Sequence, residues 1–264
     1  MRRHLCFLIA TLAVAVPLFA GPPDMPRFRW ENFTTANGLP DNHVFCVLVD
    51  GSRIWAGTEN GLALYENGKW KVFRPADGLG HRAVLSLALD KNTGDIWAGT
   101  MAGLSRISAG RIDTFTQLNS GLANDIVYGV GVQGGFVWAA TAAGASRLNT
   151  QTSQWSIFNE RNTPMYEIWT YSLSPGEDKV YYAVWGGGLL EYDVKTERWK
   201  DYNDPMGRPN SFFSRIRVSS TKSQLRSVTS TRLFGLPLIL APAGTTGAIG
   251  TTSSPKIAGF PAIF

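Results

Sequence analysis

Histidine and cysteine are scarce in this chain of 264 residues: His occurs at 4, 43 and 81, and Cys at 6 and 46. That scarcity excludes several chemistries. No HExxH motif and no Cys/His spacing suited to zinc is present, so no metal site is expected. No Ser/His/Asp arrangement can be assembled from spacing, and no cofactor motif is found. Cys46 stands alone once the N-terminal stretch is set aside, so no intramolecular disulfide can form and a buried, inert thiol is expected. Long apolar runs are missing beyond the first twenty residues. Residues 1–20 join a basic head, Arg2 and Arg3, to an apolar stretch from Leu5 to Ala20, which reads as a secretory signal peptide. Pro17 and the short length exclude a stable spanning helix. The mature chain is therefore expected to be periplasmic or secreted, without a membrane span.

Acidic residues are missing after position 206, where seven Lys and Arg remain. The formal net charge of +5 is thus a property of the chain's ends. Residues 21–206 hold sixteen basic and twenty acidic residues, a net charge of about −4. Positive charge outside the patterned part of the chain excludes a nucleic-acid partner.

What is abundant is glycine, at 28 residues, and aromatics, with nine Trp. Arg53–Phe73, RIWAGTENGLALYENGKWKVF, holds two Asn-Gly dipeptides flanked by apolar runs. Asn-Gly in that setting signals a tight hairpin turn with positive φ at both central residues. Three strands are expected, at Ile54–Thr58, Leu62–Tyr65 and Lys69–Phe73, preceded by a fourth at His43–Val49. The unit recurs as DIWAGTMAGLSRI (95–107), FVWAATAAGASRL (136–148) and KVYYAVWGGGLLEYD (179–193). Trp55, Trp97 and Trp138, with Tyr181 in the fourth copy, are 42, 41 and 43 residues apart. Strands before (VFCVLVD, VLSLALD, IVYGVGV, IWTYSLS) and after (KWKVF, RIDTF, QWSIF, RWKDY) recur with them. Four strands repeated every 41–43 residues predict an all-β fold, a β-propeller of four-stranded antiparallel blades. At one fixed place per repeat, the Trp residues are expected between blades. Gly61, Gly103, Gly144 and Gly187 follow strands and open no helix, which excludes a phosphate loop and makes them turn glycines.

The repeats occupy residues 21–206, with about four blades between Pro26 and Tyr202. All nine Trp and all eight Tyr lie before residue 203, and residues 207–264 lack turn grammar. A disordered tail or stalk is one reading of them. A reading-frame shift near residues 205–217 is the sharper expectation. Synonymous codons for Leu233–Ala248, read from the third base, spell LWVASYFGASRYDGR, and continuation spells NWHNFLTKDSGLPSNF, a further repeat. The four blades are then expected to form an incomplete ring. RFRWENFTT (27–35) aligns with the outermost strands and is expected to complete a last blade that this chain lacks. Blades bury their faces only against neighbours, so low solubility is expected.

Asn37–Phe73, NGLPDNHVFCVLVDGSRIWAGTENGLALYENGKWKVF, resembles the two-component regulator propeller repeat, with its G-L-[PS]-x-N turn and [IL]-W-[AV]-G-T-x-x-G-L core. The fourth copy departs from it, with Thr163-Pro164 for Gly-Leu and Tyr181-Tyr182 for Ile-Trp. The resemblance implies the periplasmic sensor part of a hybrid histidine kinase, or a standalone exported relative, often sensing glycan fragments. A membrane sensor kinase or other protein is the implied partner, and a small molecule or oligosaccharide the implied ligand.

A propeller gathers one set of loops around its channel mouth. Candidate ligand contacts there are Asn42, His43, Glu59, His81, Arg82, Met101, Asn124, Asp125, Tyr166 and Trp185, since rings beside amides, carboxylates and a guanidinium suit polar ligands with apolar faces. Against that, Asn42, Asn124 and Asp125 suit simple satisfaction of turn amides. A non-catalytic sensor module is expected. A rigid protein-binding scaffold and a propeller lyase using His43 or His81 are the alternatives.

Overall fold

The computed structural model describes residues 31–202 and, beyond them, the backbone of two short strands at 215–218 and 225–228. Residues 1–30, with the expected signal peptide and the start of the expected outer strand, residues 203–206 and the remainder of 207–264 lie outside the described residues. Residues 31–34 of that outer strand carry no strand; Phe33 instead packs on Tyr65 and Trp70, with ring centroids 4.9 and 5.5 Å away.

Four antiparallel sheets of four strands follow one another. Blade one is β1 (Val44–Asp50), β2 (Arg53–Thr58), β3 (Gly61–Glu66) and β4 (Lys69–Phe73). Blade two is β5 (Val84–Leu89), β6 (Ile96–Thr100), β7 (Gly103–Ser108) and β8 (Arg111–Phe115). Blade three is β9 (Val127–Gln133), β10 (Phe136–Thr141), β11 (Gly144–Asn149) and β12 (Trp155–Phe158). Blade four is β13 (Thr170–Pro175), β14 (Lys179–Val184), β15 (Gly188–Asp193) and β16 (Arg198–Asp201). Within each sheet the strands pair in chain order. First strands pack in series, β1 on β5, β5 on β9 and β9 on β13. This is a propeller of about four blades in an open ring. Apart from two single-turn 3-10 segments, no helix occurs among the described residues.

β17 (Arg215–Val218) and β18 (Leu225–Val228) form a hairpin inside the stretch read as non-native or disordered. β17 lies against β13 and β14, just as β13 lies against β9 and β10. It takes the first-strand place of a fifth unit.

The hairpin turns differ from expectation at one point. Asn67 and Gly68 have φ of 50° and 77°, as a two-residue hairpin turn requires. The other turn is centred on Glu59-Asn60, and Gly61 already opens β3. Its cause is the threonine that ends the second strand: Thr58, Thr100 and Thr141 each donate to the carbonyl of Gly61, Gly103 or Gly144 at 2.8 Å. In blade four Val184 stands there, the hairpin is one residue longer, and Gly188 rather than Gly187 opens the third strand.

Every seam is built alike. The second-strand Trp stacks on the last residue of its own fourth strand: Trp55 on Phe73, Trp97 on Phe115, Trp138 on Phe158, at 5.9, 5.7 and 6.2 Å. It then packs with apolar residues of the next blade. Trp55 shares a cluster with Val84 and Ile96, Trp97 with Val127 and Val137, and Trp138 with Leu173 and Val180. These rings are nearly excluded from solvent, and burial of such area dominates the stability of a β unit. The fourth copy puts Tyr181 at this place, half-buried, with Tyr202 across from it. The Gly-Leu turn also has a packing role: Leu39, Leu79 and Leu122 are buried plugs, and Met165 replaces them where Thr163-Pro164 breaks the pattern.

Blade one shows what a missing neighbour does. Val47 and Val49 are 60% and 65% exposed. Their counterparts Leu87 and Leu89 in blade two pack into the first seam. Val44 is 37% exposed, whereas Val84 and Val127 at its place are 0%. Cys46, expected to be buried, is half-buried, its Sγ 3.7 Å from Val84 O across the seam.

The seams are close enough to restrict side-chain size. A Cβ on Gly99 would lie 2.8 Å from Val127 O and 2.5 Å from Ser86 Oγ. Residues 86 and 99 are cross-strand partners. In blade three the same pair is Gly129 and Ala140, with the larger residue on the other strand. Gly99→Ala is therefore expected to lower stability by about 1–3 kcal/mol, measured by urea unfolding. Adding Ser86→Gly, which copies blade three, relieves the Ser86 Oγ approach and is expected to recover part of that loss, the Val127 O approach remaining.

Blade four carries a buried carboxylate. Glu191 accepts hydrogen bonds from Lys179 Nζ and from Tyr202 Oη, the latter at 2.6 Å. Burial works to raise its pKa, but these two bonds and the lysine charge outweigh it and hold it below the ordinary value of 4.5. A depressed carboxyl contributes stability that is complete above 4.5 and is lost as pH falls through the folded value. Urea midpoints should thus fall more steeply between about pH 5 and pH 3 in the native chain than in Glu191→Gln.

Candidate functional site

One face of the molecule carries both the loops that join successive blades and the turns between second and third strands. Backbone bonds hold the two sets together: Glu59 N to His43 O at 3.0 Å, Gly103 N to Asp125 O at 2.6 Å, and Trp185 N to Trp169 O at 2.8 Å. All ten expected contact residues lie in these loops and turns.

Several of them serve the loops themselves. Asn42 Oδ1 accepts the Thr35 amide at 2.9 Å, Asn124 Oδ1 the Ile126 amide at 2.9 Å, and Asp125 Oδ1 the Gln117 amide at 2.7 Å. His81 Nδ1 accepts the Ala83 amide at 3.0 Å. A second device, missed in the sequence, recurs in the loop that leads into each blade. Asn37, Asp77, Asn119 and Asn162 accept the amide three residues before them, at 2.7–3.0 Å. Asparagine or aspartate every 40 to 43 residues was the signal. Both devices make the loops rigid, because each satisfies a donor that would otherwise need water.

Others project. His43 Nδ1 lies 2.9 Å from Glu59 Oε2, both side chains largely exposed, and its ring meets Phe45 at 4.6 Å. Arg82 is exposed, with no hydrogen bond or ion pair among the described residues. Met101 and Tyr166 are exposed, Tyr166 at 80%.

Blades three and four add aromatics that sequence reasoning passed over. Tyr128 and Tyr171 stack at 4.6 Å with an interplanar angle of 22°. Tyr171 continues to Trp185 at 5.1 Å. Trp169, 49% exposed, adjoins Trp185 through the backbone bond above. Burial, with the Tyr171 hydroxyl beside it, pushes the Tyr128 phenol above its ordinary value. Both tyrosines occupy the second place of their first strand, the place of Phe45 and Leu85. That shared register could have been read from the repeats. The arrangement offers ring faces beside hydroxyls and a neighbouring loop of amides. Among the described residues no group of three or more His, Cys, Asp or Glu is placed to hold a metal ion, and no helix is long and apolar enough to cross a membrane.

Residues 38–60, from the Gly-Leu turn through β1 and β2 to the Glu59-Asn60 turn, match the family model described as two component regulator propeller. One copy of the two component regulator propeller repeat is thus matched. Similar solved structures place whole sets of blades on the same path. One is the extracellular domain of a protein of B. thetaiotaomicron described as a hybrid two component system, with TM-score 0.58 and 18% identity over 66% of this chain and 26% of that one. Another is an extracellular domain from the same organism described as a one component system, with TM-score 0.53 and 20% identity over 66% and 23%. A third is PorZ of Porphyromonas gingivalis, a surface component of the type-IX secretion system, with TM-score 0.50 and 14% identity over 67% and 24%. The repeat chain thus spans about a quarter of each of these structures. No curated protein matches it.

Asp125→Ala removes a loop acceptor and is expected to lower stability by about 1 kcal/mol. Arg82→Ala removes only a projecting cation and is expected to leave thermal unfolding unchanged; parallel calorimetric scans of the two variants check both outcomes.

Proposed function

We propose that this propeller is an exported, non-catalytic sensor module that binds a saccharide or similar polar small molecule on its loop-bearing face. The carrying observation is the aromatic series Tyr128, Tyr171 and Trp185, with Trp169 and Tyr166 exposed beside it. Sugars present apolar C–H faces and a rim of hydroxyls, and an aromatic platform edged by polar side chains answers both. Rigid loops support the reading, since a platform held in place loses little freedom on binding. Two similar structures are extracellular domains of one and two component systems, which favours a periplasmic or surface location and a sensor kinase as the partner that reads the bound state.

A non-catalytic role is favoured by what the two usable histidines do. His81 caps its own turn in the loop into blade two, and His43 pairs with Glu59 in blade one, whereas the aromatic series belongs to blades three and four. Neither is set beside the rings on which a substrate would rest, as a general base must be.

Tryptophan fluorescence titration of the chain with a panel of oligosaccharides tests the proposal. One or more sugars are expected to shift Trp emission, and Trp185→Ala is expected to weaken that ligand by about tenfold or more, in line with ~1–3 kcal/mol for a stacked ring. Unchanged affinity in Trp185→Ala would remove the aromatic series as the binding surface.

A further inference from the structure

In the loops into the first three blades, a side chain two residues after the buried leucine closes a small turn. Asp41 Oδ1, His81 Nδ1 and Asn124 Oδ1 accept the amides of His43, Ala83 and Ile126, at 2.8, 3.0 and 2.9 Å. The loop into blade four breaks this rule. Two residues after its plug, Met165, stands Glu167. Glutamate is one methylene longer than the aspartate or asparagine that suits such a turn. Glu167 is exposed, and its carboxylate has no hydrogen bond or ion pair among the described residues. Its stem lies instead beside the turn between β14 and β15, where a Cβ on Gly186 would meet Glu167 Cγ at 3.7 Å. Every other residue at this place serves the loop, and this one is left to serve something else.

The same loop and turn gain large rings where the other units have no Tyr or Trp. Tyr166 stands at the place of Pro40, Gly80 and Ala123, and Trp169 at that of His43, Ala83 and Ile126. Trp185, next to Gly186, stands at the place of Glu59, Met101 and Ala142. Tyr166 and Trp169 are exposed, and Trp185 meets Tyr171 at 5.1 Å. Charge around these rings is of one sign. Residues 116–126, 142–143, 162–171 and 184–188 contain no Lys or Arg. Asp125 is committed to the Gln117 amide, and Glu160 and Arg161 pair with each other at 3.9 Å. Arg82, on the same face, belongs to the loop into blade two. The uncommitted charge among the rings is the Glu167 carboxylate.

We propose that Glu167 makes the aromatic face selective for cationic saccharides: amino sugars whose ammonium group it holds while the sugar ring rests on Trp185 and its neighbours. This rests on the reading of that face as a saccharide surface and names the saccharides it takes. Two attractions act together. A carboxylate accepts a charge-assisted hydrogen bond from an ammonium group. Aromatic ring faces carry negative charge density and favour a cation beside them. An N-acetylated sugar has the same ring faces and gains neither.

A glucosamine trimer and its N-acetylated form differ in charge and share their sugar rings, so fluorescence titration of the full chain with each tests this, in slightly acidic buffer that keeps the amines protonated. The free-amine trimer is expected to bind at least about tenfold tighter than the acetylated one. High salt is expected to shrink that difference, because the carboxylate is exposed. Glu167→Gln, a surface change, is expected to abolish the difference and leave the affinity for the acetylated trimer unaltered. Ethanolamine, the charge without the ring, is expected to bind at least about tenfold weaker than the free-amine trimer. Equal affinity of the two trimers, a preference that survives in Glu167→Gln, or ethanolamine binding as tightly as the trimer would each overturn the proposal. So would failure of the free-amine trimer to bind at millimolar concentration; a neutral sugar that still shifts Trp emission would then leave the aromatic surface standing. Binding of the free-amine trimer that is untouched by Trp185→Ala would overturn both readings.

Discussion

The structure depends on one contact made three times: a flat aromatic ring of one blade pressed against the first and second strands of the next. Trp55, Trp97 and Trp138 each lie stacked on a phenylalanine of their own sheet, and the outer side of that stack is covered by the neighbour. Close approach is what makes the contact dry, and it is obtained by keeping one member of a cross-strand pair small. Cys46 with Gly57, Ser86 with Gly99 and Gly129 with Ala140 are three solutions to the same spacing. No blade can bury its own faces, so stability is a property of seams rather than of sheets.

That rule explains where the chain departs from its own pattern. In blade four the Trp/Phe stack gives way to Tyr181 and Tyr202, and the position of Arg106 and Arg147 is taken by Glu191, tied to Lys179 and Tyr202. Its far side is polar and hydrogen-bonded where the other three are aromatic. At the other end of the ring blade one keeps the repeat's apolar residues, and Val47 and Val49 are left in solvent. The two ends of the array are thus chemically unlike, and blade four does not offer the Trp-and-glycine surface that receives the counterparts of Val47 and Val49 at the other seams.

Repetition also sorts structural residues from candidates for binding. Threonines that close the second turn, Asx residues that brace each loop and leucines that plug it occur in nearly every unit, and each has a local partner. What is not repeated stands out against that background. The Tyr128–Tyr171–Trp185 series belongs to two blades, and the inter-blade bonds of Arg147 to one seam. A common scaffold with unequal sites is what radial stacking permits, because loops and seam rims can vary while the aromatic centre of the first three blades recurs.

Much of this was legible in the amino-acid sequence. The period of about 42 residues, the four strands of each unit and the interior place of Trp55, Trp97 and Trp138 follow from alternation and recurrence, which are local properties of a chain. The loops that carry the candidate contacts were legible for the same reason. The turn at Glu59-Asn60 was not, because a threonine hydroxyl reaching across the hairpin overrode the Asn-Gly preference. Nor was the sharing of labour within the loops: Asn42, His81, Asn124 and Asp125 carry suitable chemistry, but only the folded loops decide that their acceptors face backbone amides. The aromatic series and the arginine partners are tertiary outright. Tyr128 and Tyr171 are 43 residues apart and meet because neighbouring blades bring equal registers side by side. Arg106 turns back to Asp95 of its own blade, whereas Arg147 at the same register reaches across to Tyr192 and Glu197 of the next. Sequence determined the repeating unit, since its strands and turns are set by neighbours in the chain; the packing of unit on unit decided which side chains are left to meet a ligand.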